Sequence, residues 1–521
     1  MNSLVKIICV LAVLINGIYL VEARKKTQYF NQTEFTVDFT ITHSILAANF
    51  IGDFNKELLL IGERIDSEGK NPEESGTIQR SSHKIAVLYA LDLSTGHYVL
   101  HSEIEIPNST VAFDLITNNK EIKKLLLLDA VGLSTINFKT NTISPLEKLG
   151  SIYLSSEPLF VTKKKLVKDL NGDGLDDIII SNFGNITLLL QQASGEFNKV
   201  ELPIKSMIDM TSLHVAYSER SIFQLDTNFD QLLDLVVLEN NRLQVYEQSK
   251  NRSFSLSANH ISLPVDISDV PWWFVRGADG ESVDQSNLQH RMIEKLEDIN
   301  GDDIADLMVR QTQSSGVFDR QNNYELYFGS NHDGTLKFSE EFDTSITAEG
   351  TLAGLELVDI NNDKRQEILV SSFDVGVTQI IGALLSGSID QDVYLFSLDE
   401  DDNYSKTPLF SEEVDLNFSI SSGSAGQPVV LSADLDGDGN KDLVLSTGTK
   451  KFSIFEGLKS DRLLRSRSKH HKLKLPDDGS MVITTDLNND SREEVIVRYG
   501  KQDDEALRNK VIILSAKYGV R

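Results

Sequence analysis

Six short stretches of this chain place oxygen-bearing side chains at alternate positions and then run directly into an apolar strand. Each fits the pattern D-x-[DN]-x-D-x-x-x-[DE], as in DLDGDGNKDLVL from Asp434 to Leu445. Calcium takes about six to eight oxygen ligands, so a short loop must turn alternate side chains towards one centre. Positions 1, 3 and 5 offer side-chain oxygens, position 7 a backbone carbonyl and position 9 a closing carboxylate. The spacing therefore predicts up to six Ca²⁺ sites.

The predicted ligands occupy the same five positions in every loop. They are Asp169, Asn171, Asp173, Leu175 and Asp177; Asp226, Asn228, Asp230, Leu232 and Asp234; Asp298, Asn300, Asp302, Ile304 and Asp306; Asp359, Asn361, Asp363, Arg365 and Glu367; Asp434, Asp436, Asp438, Asn440 and Asp442; and Asp486, Asn488, Asp490, Arg492 and Glu494. Position 6 must turn sharply, which Gly174 and Gly439 permit. Gln231 stands there in the Asp226 loop, which we expect to bind most weakly. The alternative is a set of solvated turns without an ion.

The loops recur along the chain and divide it into units. Their first aspartates lie 52 to 75 residues apart, and two upstream stretches, around Asn49 to Glu57 and around Asp114, resemble loops that have lost ligands. After each loop the sequence alternates short apolar runs with turns and shows little helical periodicity. Repeated units of four short strands predict an all-β fold, a β-propeller of eight four-stranded blades, with seven as the alternative. The last unit lacks a strand, so an N-terminal strand in FTVDFTIT from Phe35 is expected to complete it.

These features resemble a known family. Acidic loops followed by apolar strands, with Phe183-Gly184 and Tyr499-Gly500, look like the FG-GAP repeats of the integrin α-chain propeller and the related VCBS-type repeats. The resemblance covers most of the chain and is strongest over the six loops. It implies a propeller in which calcium organises the blades.

The first residues of the chain predict export. Lys6 precedes an apolar run from Ile7 to about Val21, and a Val-x-Ala pattern ends at Ala23. Residues 1–23 are therefore expected to be a signal peptide and residues 24–521 a single propeller domain. The only cysteine, Cys9, lies inside that segment. In a secreted or periplasmic protein without disulfides something else must hold the structure together, and bound metal and a large core are the candidates. No further apolar run reaches membrane-spanning length, so no membrane span is expected after cleavage.

The charge and two local features bear on partners. A net charge of −28 disfavours nucleic acid and anionic membranes. The two tryptophans, Trp272 and Trp273, stand close to Arg276 and form a candidate ligand platform, although such residues more often anchor a loop. A basic stretch, Lys459 to Lys474, fits either a contact for an anionic partner or an exposed edge strand protected by lysine, and we favour the edge strand.

The motifs of common hydrolases are absent from the sequence, which contains no H-E-x-x-H and no G-x-S-x-G. The sequence therefore favours an adhesion or ligand-binding scaffold whose partner is a protein or a glycan. The alternative is a carbohydrate-active enzyme, a polysaccharide lyase or glycosidase, on the same ring.

Overall fold

The computed structural model of the chain describes residues 28–65, 82–117, 122–153, 160–211, 214–316, 319–348, 350–373, 388–419 and 424–517. The predicted signal peptide, residues 1–23, lies outside these residues. Within them the regular structure is almost entirely β-strand, with five single turns of 3-10 helix. These are η1 (Trp272–Phe274), η2 (Gln285–Asn287), η3 (Gly448–Lys450), η4 (Gly479–Met481) and η5 (Glu505–Leu507). No helix in this part of the chain could cross a membrane.

Eight sheets follow one another as the blades of a β-propeller. Each blade has four antiparallel strands, and some blades have an additional short strand. The first strand of the chain, β1 (Phe30–Thr36), joins the last blade. Blade 1 contains β2 (Thr40–Ile41) and β3 (Leu46–Ala48), which both pair with β4 (Glu57–Ile65), then β5 (Ser82–Asp92) and β6 (His97–Glu105). Blade 2 contains β7 (Ala112–Thr117), β8 (Lys123–Leu128), β9 (Gly132–Asn137) and β10 (Thr142–Lys148), with β11 (Thr162–Lys163) parallel to β7. Blade 3 contains β12 (Val167–Lys168), β13 (Asp177–Ser181), β14 (Ile186–Gln191) and β15 (Phe197–Leu202).

The next blades carry two additional hairpins. The first hairpin, β16 (Met207–Met210) and β17 (Val215–Ser218), precedes blade 4, which contains β18 (Ile222–Leu225), β19 (Asp234–Glu239), β20 (Arg242–Tyr246) and β21 (Asn259–Ser262). Blade 5 contains β22 (Leu288–Glu297), β23 (Asp306–Gly316), β24 (Asp319–Tyr327) and β27 (Thr344–Ile346), and the hairpin of β25 (Gly329–Asn331) and β26 (Leu336–Phe338) extends it.

The last three blades complete the ring. Blade 6 contains β28 (Thr351–Val358), β29 (Glu367–Phe373), β30 (Ser388–Phe396) and β31 (Phe410–Ser419), with β32 (Ser424–Ala425) at its edge. Blade 7 contains β33 (Val430–Ala433), β34 (Asp442–Ser446), β35 (Lys451–Phe455) and β36 (Lys469–Lys472). Blade 8 contains β37 (Val482–Thr485), β38 (Glu494–Arg498) and β39 (Lys510–Ala516), and β1 is its fourth strand.

The ring closes through the N-terminal strand, as the sequence predicts. β1 pairs antiparallel with β39 along its whole length, from Phe30 opposite Ala516 to Thr36 opposite Lys510. The closing strand begins five residues before the predicted start at Phe35. Near the end of the predicted segment, Thr40–Ile41 forms β2, which belongs to blade 1. The two ends of the chain are therefore joined by backbone hydrogen bonds of a single blade.

Apolar clusters fill all eight boundaries between blades. Along β4, alternate residues face opposite neighbours: Leu58 packs with Ile496 of blade 8, and Leu59 packs with Leu125 of blade 2. The other six clusters join blades 2 and 3, 3 and 4, 4 and 5, 5 and 6, 6 and 7, and 7 and 8. Because both faces of each central strand are buried, the sequence shows continuous apolar runs there. Each buried Leu or Ile contributes about 1.5–3 kcal/mol of transfer free energy.

His471 on β36 makes the stability of this closure depend on pH. His471 is 2% exposed, and its imidazole lies edge-on to the Phe30 ring. The imidazole Nδ1 accepts the backbone N–H of Phe30 at 3.4 Å. Burial, with a smaller effect of the Lys517 charge, lowers the pKa of His471 from 6.5 to about 4. A lowered pKa means that the unfolded chain binds the proton first as the pH falls.

We therefore expect His471 to stabilise the fold fully above pH 6.5 and to lose this contribution as the pH falls to about 4. The loss should be roughly 3–4 kcal/mol, because the two pKa values differ by about 2.5 units and one unit corresponds to about 1.4 kcal/mol. Denaturant unfolding across this pH range measures it, as the difference between the wild type and His471→Gln. The exposed neighbour supplies the control, since His470→Gln should retain the wild-type pH dependence. Parallel pH profiles for the wild type and His471→Gln would contradict the assignment.

Candidate metal centre

The six acidic loops occupy one equivalent position in blades 3 to 8. Each begins immediately after the first strand of its blade, and position 9 is the first residue of the second strand, as Asp177 is in β13 and Asp442 in β34. Because successive blades share this strand order, the loops lie at the same end of the ring. The sequence thus places all six candidate sites on one face.

The backbone of every loop is left-handed at two positions. Position 6 has positive φ throughout, from 64° at Asp303 to 87° at Gly439. Position 4 is also left-handed in all six loops, a feature that the spacing of the acidic residues does not predict. In the Asp226 loop these positions are Phe229 (φ 60°) and Gln231 (φ 69°), and a bulky residue is costly in this conformation. This strain agrees with the expectation that the Asp226 loop is the weakest site.

Hydrogen bonds to the backbone turn the side chains of positions 1, 3 and 5 inward. In the first loop, Asp169 Oδ2 accepts the N–H of Gly174 at 2.8 Å, and Asn171 Oδ1 accepts the N–H of Asp173 at 3.0 Å. Asp173 Oδ1 accepts the N–H of Leu175 at 2.9 Å. The same three bonds recur in the other five loops. The loops therefore hold their oxygens in a repeated arrangement.

One loop brings three carboxylates together. Asp434, Asp436 and Asp438 each place a carboxylate oxygen so that all three lie within 4.8 Å of one another. Burial raises the pKa of Asp436, and the charges of Asp438 and Asp434 raise it further. The other five loops have Asn at position 3, which supplies an amide oxygen but no charge. The donor set is thus hard and oxygen-only in all six loops, which fits calcium, and is most negative in blade 7.

The carboxylate at position 9 has different surroundings from positions 1, 3 and 5. In blade 7, Asp442 Oδ2 accepts the N–H of Leu435 at 3.2 Å, and Oδ1 accepts the N–H of Gly457 at 2.8 Å. The six carboxylates are all at most 5% exposed: Asp177, Asp234, Asp306, Glu367, Asp442 and Glu494. Each accepts the N–H of position 2 of its own loop. These side chains join the loop to the blade.

Burial is the main cause of an altered pKa at position 9. It raises the pKa of Asp177 to about 6 and the pKa of Asp306, Glu367, Asp442 and Glu494 to about 7, and nearby loop aspartates raise it further. Glu57 in blade 1 has the same position and accepts the N–H of Phe50 at 2.6 Å, although its loop lacks the ligand pattern. The hydrogen bond from the loop backbone to the position 9 carboxylate is therefore also present in a blade that lacks a candidate metal site.

Neighbouring loops are also bonded to one another. The N–H of position 8 donates to a carbonyl at the start of the preceding blade's loop, at 2.8–2.9 Å. The four bonds are Gln366 to Ile299, Lys441 to Ile360, Glu493 to Asp434, and Lys56 to Leu487. They connect blades 5, 6, 7, 8 and 1 in order around the ring. The backbone of each of these loops is thus tied directly to the next blade.

The two arginines at position 7 are predicted to contribute only their backbone carbonyls. Arg365 Nη2 lies 2.7 Å from Asp402 Oδ1 in the following connection of blade 6, so its side chain points away from the loop centre. Asn440, at the same position of blade 7, is buried, and its Oδ1 has no hydrogen-bond partner.

The tryptophan pair lies on η1, between blades 4 and 5. Trp272 is covered by Arg320, whose guanidinium carbon is 4.7 Å from the ring centroid, and Trp273 stands at right angles to it and is 47% exposed. Arg276 lies 2.8 Å from Asp209 of β16 and also donates to the Trp273 carbonyl. The structure therefore brings the three predicted residues together, and Trp273 is the exposed one of the two tryptophans.

Comparison with known proteins identifies one repeat. Residues 298–370 match the family model described as an FG-GAP-like repeat. This segment contains the Asp298 and Asp359 loops, and the match confirms the resemblance seen in the sequence. The chain is thus an eight-bladed β-propeller with an FG-GAP-like repeat. No curated protein matches it.

Several solved structures resemble the chain at low identity. A lectin from Agrocybe aegerita, studied for recognition of non-reducing terminal N-acetylglucosamine, is 12% identical, with a TM-score of 0.40 and coverage of 76% of this chain and 90% of that one. A periplasmic gluconolactonase from Pseudomonas aeruginosa is 11% identical, with a TM-score of 0.33 and coverage of 76% and 93%. The V. cholerae biofilm matrix protein Bap1 is 12% identical, with a TM-score of 0.26 and coverage of 91% and 77%. The fold assignment rests on the blades described above.

Two substitutions in the blade 7 loop distinguish the structural role of position 9 from the metal-binding role of position 5. Asp442→Asn should destabilise the chelator-treated protein by about 1–3 kcal/mol above the Asp442 pKa, because an amide NH₂ would face one of two backbone N–H donors. Asp438→Asn keeps its Oδ1 acceptor and removes one of three repelling charges, so it should leave this stability unchanged or raise it slightly.

Denaturant unfolding measures both variants, and calcium titration should show weaker binding for Asp438→Asn. Equal losses of stability for the two variants would refute the distinction.

Proposed function

We propose that this chain is a secreted, calcium-stabilised β-propeller that acts as an adhesion or ligand-binding scaffold. The observation that carries the proposal is the convergence of Asp434, Asp436 and Asp438 within 4.8 Å, in a loop geometry repeated in six blades. Three carboxylates this close repel one another, and a divalent cation offsets that repulsion.

The proposed metal ligands are the side-chain oxygens of positions 1, 3 and 5 and the carbonyl of position 7 in each loop. Position 9 completes the set in the sequence pattern, while also holding the loop to its blade. Calcium, when bound, would supply the positive charge that the loop lacks. Because the loops of blades 5 to 8 and blade 1 are hydrogen-bonded in series, metal in the loops of blades 5 to 8 would stiffen a neighbouring blade as well.

Calcium would replace the disulfides common in small exported domains. With residues 1–23 removed as a signal peptide, the chain contains no cysteine. The blades are then held by apolar clusters, the β1 closure and the acidic loops. This arrangement supports export to a calcium-containing compartment.

Trp273 is the proposed ligand contact on the blade 4 to 5 connection. Its exposed ring offers an apolar face for a sugar ring or an apolar side chain. Trp272 and Arg276 position it, through Arg320 and Asp209 respectively.

Calcium removal should lower the melting temperature of the wild-type protein substantially. One site filled at a hundred times its dissociation constant stabilises a fold by about 2.7 kcal/mol, and several sites act together. Calorimetric melting with and without chelator measures this, and isothermal titration gives the number of ions. Asp436→Asn should reduce the chelator effect, whereas Asp333→Asn, on an exposed turn outside the loops, should not. An unchanged melt on chelation would remove the proposal.

Intrinsic fluorescence tests the ligand contact, because both tryptophans of the chain lie on η1. The variant Trp272→Phe leaves Trp273 as the only tryptophan that fluoresces, and Trp273→Phe leaves only Trp272. Iodide should quench the tryptophan emission of Trp272→Phe several-fold more than that of Trp273→Phe. Glycans or proteins that dock here should change the emission of Trp272→Phe and bind Trp273→Ala more weakly. Equal quenching of the two variants would contradict the assigned exposure.

A further inference from the structure

The outer part of blade 7 carries a charge opposite to that of the whole chain. Residues 450–474, here named the blade 7 rim, contain nine Lys or Arg and two Asp or Glu, a net charge of +7 in a chain of −28. The remaining residues therefore carry −35. At an ionic strength of about 0.15 M the screening length is about 8 Å, so a ligand at the rim experiences chiefly the local positive charge.

The rim is built on β35 and β36, and β36 is the edge strand of the sheet, as the sequence analysis favoured. In their register Lys451 lies directly opposite Lys472. Like charges at opposite positions of a strand pair destabilise it. The arrangement therefore stores repulsion that a bridging anion would relieve.

Most cations of the rim are not neutralised by the protein. Lys469 and Arg465 both pair with the buried Glu456. Among the residues that the structure describes, the other seven have no carboxylate within ion-pair distance: Lys450, Lys451, Lys459, Arg462, Arg467, Lys472 and Lys474. Five of these seven are exposed: Lys450, Lys459, Arg462, Arg467 and Lys472. The rim thus presents unpaired positive charge on the edge strand β36, at the end of η3 and in the connection that leads from β35 to β36.

The surroundings of β36 argue against a peptide that adds a strand. The backbone N–H of Lys472 already donates to Gln28 Oε1 at 2.8 Å, and the neighbouring Phe30 N–H donates to His471. Strand addition needs free backbone groups at the edge. A ligand at this edge is therefore recognised by charge on side chains.

The rim also lacks the aromatic platform that single-stranded nucleic acids use. The two aromatic residues of the stretch, Phe452 and Phe455, are buried between blades. Base stacking on exposed aromatic rings provides much of the affinity for such strands. An acidic polysaccharide is a linear polyanion with small, repeated charged groups, and its binding needs neither a free strand edge nor aromatic stacking.

We propose that the blade 7 rim binds a linear polysaccharide that carries sulfate or carboxylate groups. Arg462 and Arg467 offer planar forks that match these groups, and Lys451 and Lys472 share one between them. The proposal deepens the scaffold function by naming a ligand class, and it rests on that function. The rim site consists of cations, whereas the loops consist of carboxylates, so the proposed rim residues are not metal ligands.

The test uses the calcium-loaded full chain at physiological ionic strength, with dextran sulfate, polygalacturonate and neutral dextran as probes. Dextran sulfate or polygalacturonate should bind measurably and neutral dextran should not, and the stronger of the two identifies sulfate or carboxylate as the preferred group. Binding should weaken steeply with added salt. No binding of either acidic polymer, or stronger binding of polyglutamate or single-stranded DNA, would overturn the proposal.

A charge-matched pair of variants locates the site. The triple variant Lys451→Gln, Arg467→Gln and Lys472→Gln should bind at least about tenfold more weakly. Lys139→Gln, Lys250→Gln and Lys501→Gln, all exposed and outside the rim, should bind as the wild type does. Equal losses in both triples would overturn the location.

Melting and calcium titration keep this result separate from the scaffold proposal. Lys472→Gln should raise the melting temperature slightly, because it removes the repulsion with Lys451. A rim variant that binds calcium normally but not the acidic polymer supports the rim site. A wild-type protein that binds the acidic polymer but not calcium would contradict the calcium-stabilised function and still support the rim site.

Discussion

The interaction on which the rest of this propeller depends is a buried carboxylate at the start of the second strand of a blade. Asp442 accepts one N–H from its own loop and one from Gly457, beyond the third strand. A buried ionised group is costly unless it is hydrogen-bonded, so the fold must supply both donors. Where it does, one side chain fixes the loop, the second strand and the following turn together.

This constraint explains why the acidic loops keep their shape without disulfides. The carboxylate at position 9 holds the two ends of the loop, and the side chains at positions 1, 3 and 5 bond to backbone N–H groups within it. In the Asp434 loop the carboxylate oxygens of these three positions then lie within 4.8 Å of one another. The same residues thus serve the local fold and the proposed ion, and their mutual repulsion gives the ion a direct effect on stability.

Coupling around the ring comes from two layers of contacts. Eight apolar clusters fill the boundaries between blades, and backbone hydrogen bonds join the loops of blades 5 to 8 and blade 1. β1 closes the last blade with residues from the other end of the chain. Stability is therefore shared among blades. The exposed cations of the blade 7 rim and the exposed Trp273 lie outside these contacts and are available to partners.

Much of the architecture follows from the sequence because its signals are local. The spacing of Asp434, Asp436 and Asp438 is set within five residues, and apolar runs such as Leu58 to Ile61 mark buried strands, so loop positions, blade number and the closing role of the N-terminal strand could be predicted. The candidate ligands at positions 1, 3 and 5 were identifiable for the same reason.

Only the tertiary structure decided the contacts between residues distant in the chain. The second donor to Asp177 is Gln191, Trp272 is covered by Arg320, and Arg276 is held by Asp209. The left-handed backbone of Phe229 opposes its local preference and is imposed by the loop around it. Local periodicity specifies which faces are buried, but partners such as these depend on strand register and on how blades pack, which no short stretch of sequence encodes.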